Sequence, residues 1–147
     1  MARSAENRKR VDLLESVQLF SGCTRRELAV IAGTMDEIAV PAGTVMTVEG
    51  ERGQHFYVLA EGLASVIAGD TRLGSIRPGT CFGEMALLDG GRRVATVTTE
   101  LPSRMLVMNA KQFASLMDRP GVARKVLRVL AERLRTVDEQ LALSGTA

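Results

Sequence analysis

The apolar positions of this chain change their period twice. Val11, Leu13, Leu14, Val17 and Leu19 fall at helical spacing, after a charged stretch over residues 1–10 that reads as a flexible tail. TRRELAVIAGTM then opens with Thr24 and carries Glu27 three residues on, a capping box ahead of an apolar run. That pattern predicts a second helix from about Arg25 to Met35, so residues 11–36 read as N-terminal helices. From 37 to 108 the segments shorten, β-branched residues become common, and Gly or Pro interrupts at regular intervals. EIAVPAG, TVMTVEG, HFYVLAEG, LASVIAGD, RLGSIRPG, RVATVTTE and SRMLVMN read as strands or strand-and-turn units. Many short strands at even spacing predict a β-barrel or jelly-roll sandwich.

Helical spacing returns over 109–147. Asn109 with Gln112 caps KQFASLM, Pro120-Gly121 breaks the helix, and a longer one runs from about Val122 to Leu143. Its Leu127, Leu130, Leu134, Val137 and Leu141 are spaced 3, 4, 3 and 4, an a/d seam across two heptads. Periodicity alone leaves a dimer seam and a face packed on the chain's own barrel evenly matched. The fold class expected is mainly β with flanking helices: a jelly-roll β-barrel with N-terminal helices and a long C-terminal helix, in one domain over residues 1–147.

Composition narrows the function classes. A chain of 147 residues, 46% of them hydrophobic, has enough apolar material for a real core. A net charge of +2, 3% aromatics and no Trp give little with which to hold nucleic acid, so none is expected as a direct partner. No apolar run is long enough to span a membrane, and MARSAENRKRVD lacks the apolar core of a secretory signal, so the expected location is the cytoplasm. Cys23 and Cys81 then read as reduced thiols, Cys81 offering a labelling handle. His55 is the one histidine, which leaves a metalloenzyme barrel short of ligands and acyl-transfer chemistry without a triad. Neither a metal nor enzymatic activity is expected.

The densest chemistry lies in FGEMALLDGGRRVATV, Phe82 to Val97. Backbone N–H groups around a Gly-rich turn make an anion-binding concavity, and the Arg93 fork matches phosphate oxygens. Glu84, acceptor-only when ionised, suits a sugar hydroxyl. Ala86 and Ala95 are small enough for a ligand to approach the backbone. Phosphate with ribose describes a nucleotide. The competing reading is an Arg93–Glu84 ion pair that staples a surface turn.

Phe82-Gly83-Glu84-Met85-Ala86-Leu87, followed by Arg93-Val94-Ala95-Thr96, resembles the phosphate-binding cassette of the cyclic nucleotide-binding domain family. LFSGCTRRELAVIA, GQHFYVLAEG, IRPGTCFGE and KQFASLM extend the resemblance over about residues 13–140. It implies that Arg93 neutralises the cyclic phosphate and that Glu84 accepts the ribose 2′-hydroxyl. Amides near Gly83, Ala86 and Ala95 would complete the phosphate nest, Val66 would line the base, and Arg92 would point to solvent. A hydroxyl after the arginine often marks cyclic GMP preference in the family. Here that residue is Val94, which leans toward cyclic AMP, although Thr96 still offers a hydroxyl. The adenine-gripping hydroxyls of the long helix fall on Val137 and Asp138, with Thr136 one residue off; Arg133 or Arg135 is the candidate cap on the base instead.

The resemblance implies a sensor that signals through its last helix to an unknown protein partner or to a homodimer along Leu127, Leu130, Leu134, Val137 and Leu141. The family's transcription factors carry a DNA-reading domain after that helix, and this chain ends near where one would begin. With its starting Met, that reads as a stand-alone sensor. The alternative from another class is a degenerate fold that serves only as a dimerisation or scaffold module.

Overall fold

In the computed structural model, which describes residues 2–143, both capping boxes close. Thr24 Oγ1 accepts from the Glu27 amide at 3.1 Å while Glu27 Oε1 accepts from the Thr24 amide at 2.8 Å. Asn109 and Gln112 exchange the same pair of bonds. These caps start helices α2 (Arg25–Thr34) and α4 (Ala110–Met117). Helix α1 runs Ala2–Glu15, so the stretch expected to be a flexible tail is helical from Ala2. Its residues are mostly good helix formers. Its Arg10 reaches across to the end of α2, where Nη1 donates to Met35 O at 2.7 Å and Ala32 O at 3.3 Å. A basic side chain on the carbonyls at a helix C-terminus is favourable. A short 3-10 turn, Gln18–Phe20, buries Leu19 and Phe20. The last helix, α5, is Pro120–Leu143. Met1 and residues 144–147, the two ends of the expected tail and C-terminal segment, lie outside the described residues.

Between the helices lie eight antiparallel strands: β1 Asp36–Val40, β2 Val45–Thr47, β3 His55–Glu61, β4 Ala64–Ala68, β5 Thr71–Ile76, β6 Cys81–Phe82, β7 Thr96–Thr99 and β8 Ser103–Asn109. They form two four-stranded sheets, ordered β1-β8-β3-β6 and β2-β7-β4-β5. This is the expected mainly-β fold with flanking helices and a long last helix, and its two sheets are not closed on one another. β6 stops after two residues, where Gly83 (φ 92°) turns the chain into the short helix α3, Glu84–Asp89.

β3 is buried on both faces, and its alternation divides the core. Phe56 and Val58 point to the helical layer with Leu106, Met108, Leu14, Phe20, Ile31, Phe113 and Val126. Tyr57 and Leu59 point to the other sheet with Ala64, Phe82, Val97 and Met105. Tyr57 stacks on Phe82, with ring centroids 4.9 Å apart. One strand therefore touches both the helices and the cassette. No helix among the described residues is long and apolar enough to cross a membrane.

Candidate functional site

The loop between α3 and β7 is pinned to the loop before β3. Arg52 and Arg92 form an isolated β-bridge, the Arg93 amide donates to Glu51 O at 2.8 Å, and the Gly50 amide donates to Arg93 O at 2.9 Å. This fixes where the two arginines go. Arg92 stays exposed, as expected, and its Nη1 donates to Gly50 O at 2.9 Å, yet its side chain also walls the cavity. Arg93 turns inward and is 9% exposed. Its Nη1 donates to Gly83 O at 2.9 Å and its Nη2 to His55 O at 2.7 Å.

Both partners of Arg93 are neutral carbonyls. Among the described residues no carboxylate forms an ion pair with it; Glu84 pairs instead with Arg133 of α5, Nη1 to Oε1 at 3.2 Å. The Arg93–Glu84 staple is therefore not formed. Burial pulls the Arg93 pKa below its ordinary value. The guanidinium still carries its charge at neutral pH. The Glu84 charge acts on Arg93 from a distance without forming an ion pair with it. Two of its five N–H groups hold the carbonyls, which leaves donors for another acceptor.

Arg93 and Glu84 border a cavity of about 200 Å³. Of the sequence-predicted site, Val66, Phe82, Gly83, Glu84, Met85, Ala86, Arg93, Val94 and Ala95 line it. Thr96 does not. It sits one residue before inward-facing Val97, and its Oγ1 accepts from the Glu49 amide at 3.0 Å. Arg133 does not line the cavity either; it reaches the site through its bond to Glu84. Thr136 spends its hydroxyl on Glu132 O at 3.0 Å.

The cavity wall also includes Thr47, Ile76, Cys81, Arg92 and Val97. Thr47 Oγ1 donates to Ala95 O and accepts from the Val97 amide, which fastens the cassette's return strand to β2. Arg92 and Val97 belong to the Phe82–Val97 stretch and Cys81 adjoins it, whereas Thr47 and Ile76 are distant in sequence and are brought in by strand pairing. Burial, with the Glu84 charge second, pushes the Cys81 thiol up to about 12. Cys81 is half-buried and lines the cavity, and this shift favours the protonated thiol at neutral pH. No group of His, Cys, Asp and Glu able to hold a metal occurs among the described residues.

The seam on α5 is divided. Leu130 packs against the helical core beside buried Val122 and Val126, whereas Leu127, Leu134, Val137 and Leu141 are 64, 63, 49 and 44% exposed.

The chain is similar to known proteins of one family. The family model described as cyclic nucleotide-binding domain matches residues 37–120, which spans β1 to the start of α5 and the whole cassette. A "CRP-like cAMP-activated global transcriptional regulator" of Mycobacterium tuberculosis is 30% identical over 137 residues, 89% of this chain and 61% of that protein. A "cAMP-dependent protein kinase regulatory subunit" of Aspergillus fumigatus is 36% identical over 118 residues, 78% of this chain and 29% of that protein. The chain thus spans less than two thirds of either relative. Among solved structures, the N-terminal domain of a transcriptional regulator from Streptomyces coelicolor A3(2) superposes with a TM-score of 0.79 at 27% identity, covering 88% of this chain and 94% of that one. The catabolite activator protein of Thermus thermophilus gives 0.76 at 29% identity, covering 87% and 63%. These relatives are regulators, in keeping with a regulatory rather than a catalytic domain. A cassette with Arg93 turned onto carbonyls beside Glu84, carried by this sandwich and matched over residues 37–120, means that the chain belongs to the cyclic nucleotide-binding domain family.

Proposed function

We propose that this domain is a cytoplasmic sensor that binds cyclic AMP in preference to cyclic GMP and reports occupancy through α5. The observation that carries this reading is Arg93, a buried cation held by two carbonyls, with no ion-pair partner among the described residues and with donors to spare beside the cavity. A cyclic phosphate brings a negative charge onto those donors, and the planar fork meets two of its oxygens. Glu84 accepts the ribose 2′-hydroxyl and Val66 meets the base. Val94 offers no hydroxyl to a guanine edge, and both curated relatives carry cAMP in their names, which favours adenine.

Signalling follows from the bond Glu84 already makes. It holds Arg133, so α5 is tied to the cassette. A ribose hydroxyl takes the place of Arg133 on that carboxylate and releases the middle of the helix. The exposed residues Leu127, Leu134, Val137 and Leu141 then meet a second copy or another protein. Ligand shifts this balance only by its unequal affinity for the tied and released states. Calorimetric titration with cyclic AMP and cyclic GMP tests the reading. Tighter binding of cyclic AMP, lost in Arg93→Ala, is the expected result. A folded protein that takes neither nucleotide refutes the reading and leaves a scaffold module.

A further inference from the structure

The Arg93 guanidinium lies in a slot with two glycine walls. On one side is Gly83, where an added Cβ would fall 2.6 Å from Arg93 Nη1 and 2.8 Å from His55 O. On the other is Gly53, where a Cβ would fall 2.8 Å from Arg93 Cζ, 2.9 Å from its Nε, and 2.6 Å from Ala86 Cβ. The two walls differ in kind. Gly83 has φ 92°, so any side chain there strains the backbone whatever its neighbours. Gly53 is not among the glycines with positive φ. Its backbone accepts alanine, and what excludes a side chain is the space that the guanidinium and Ala86 occupy.

We infer that Gly53 is a positioning residue of the anion site: its missing side chain is what lets Arg93 lie flat on the carbonyls of Gly83 and His55, facing the cavity. Three observations converge on it. The two bonds to Arg93, at 2.9 and 2.7 Å, leave the guanidinium no slack to slide away from a new methyl group. Gly53 follows directly on Arg52, whose bridge to Arg92 holds this loop against the arginine loop. Arg93 is also the flexible neighbour of the pair, so a methyl group at 53 is relieved first by swinging it off its carbonyls. The side chain would stay charged and present, yet aimed elsewhere. This rests on the reading of Arg93 as the phosphate ligand, and it extends the site to a loop outside the cassette.

The experiment compares wild type, Gly53→Ala, Ala86→Gly and the double variant Gly53→Ala/Ala86→Gly. In the double variant the contact with Ala86 Cβ is gone and only the contact with Arg93 remains. Two measurements are made on each: the 15N–1H spectrum of the arginine side chains without ligand, and the affinity for cyclic AMP. The expected result is that Gly53→Ala shifts the hydrogen-bonded Arg93 resonances and weakens cyclic AMP by about tenfold or more, the loss of one to two charge-assisted bonds. The double variant should show the same changes relative to Ala86→Gly. Wild-type resonances and affinity in the double variant would overturn the inference, because the obstruction would then be helix α3 alone. Unchanged resonances in Gly53→Ala would overturn it as well. If wild type takes no cyclic AMP, the nucleotide reading falls while the ligand-free spectra still decide whether Gly53 seats Arg93.

Discussion

Replacing Arg133 with glutamine should make cyclic AMP bind more tightly, although the change removes a cation from an anion-binding domain. Arg133 is tied to Glu84 at 3.2 Å, with the two side chains 35 and 11% exposed. Exposed pairs contribute about 0–1 kcal/mol, and breaking a fully buried pair costs about 3–5 kcal/mol. This half-covered pair belongs between them, at about 1–2 kcal/mol. If the ribose must displace Arg133 from Glu84, binding to wild type forfeits that amount and binding to Arg133→Gln does not. The affinity should therefore rise about 5- to 30-fold. The ligand-free variant should lose the same free energy, lowering its melting temperature by about 3–6 °C for a domain of this size. Calorimetry and thermal unfolding read both quantities on the same samples. A weaker affinity in Arg133→Gln would refute the displacement and make Arg133 a ligand contact, the cap on the base. No change in either quantity would mean that the bridge couples nothing.

Two further outcomes follow from the same geometry. Leu134 is 63% exposed on the distal half of α5, so Leu134→Glu should convert a cyclic AMP-bound dimer to monomer in light scattering; an unchanged mass would remove the seam as the interface. The Cys81 thiol, pushed up to about 12 by burial, is protonated in the folded chain while an unfolded cysteine ionises near 8.5. The unfolded state then binds fewer protons above about pH 8.5, so stability contributed by this thiol is full below that pH and is lost as pH rises from there toward 12. Cys81→Ala should flatten that alkaline loss, and a thiol reagent at pH 8 should modify Cys81 more slowly in the native chain than in the unfolded one; equally fast modification of the native chain would contradict the raised pKa.

Much of the site was legible because it is local. Phe82 to Thr96 carries its spacing in one stretch, and eight of its candidates line one cavity, with Val66 of β4. Capping boxes at Thr24 and Asn109 were equally readable, since their bonds span three residues. What escaped depends on contacts distant in sequence. The helix from Ala2 is docked through Arg10 onto carbonyls of residues 32 and 35. Thr96 faces away because the register Ile67↔Thr96 and Val66↔Val97 turns Val97 inward, and register is fixed by pairing partners rather than by the strand itself. Gly53 reads as one more turn glycine until its distance to Arg93 is known. The a/d seam was ambiguous for a similar reason: helical period shows a stripe, while the division between Leu130 and exposed Leu127 depends on where the core ends.

The central claim is that Arg93 waits for a phosphate. The 31P resonance of cyclic AMP, followed as the nucleotide is added to the ligand-free protein and to Arg93→Ala, tests it at the atom concerned. The account predicts a shifted bound signal that saturates with wild type and is absent with the folded variant. The same shifted signal in Arg93→Ala, or none with wild type, would contradict it.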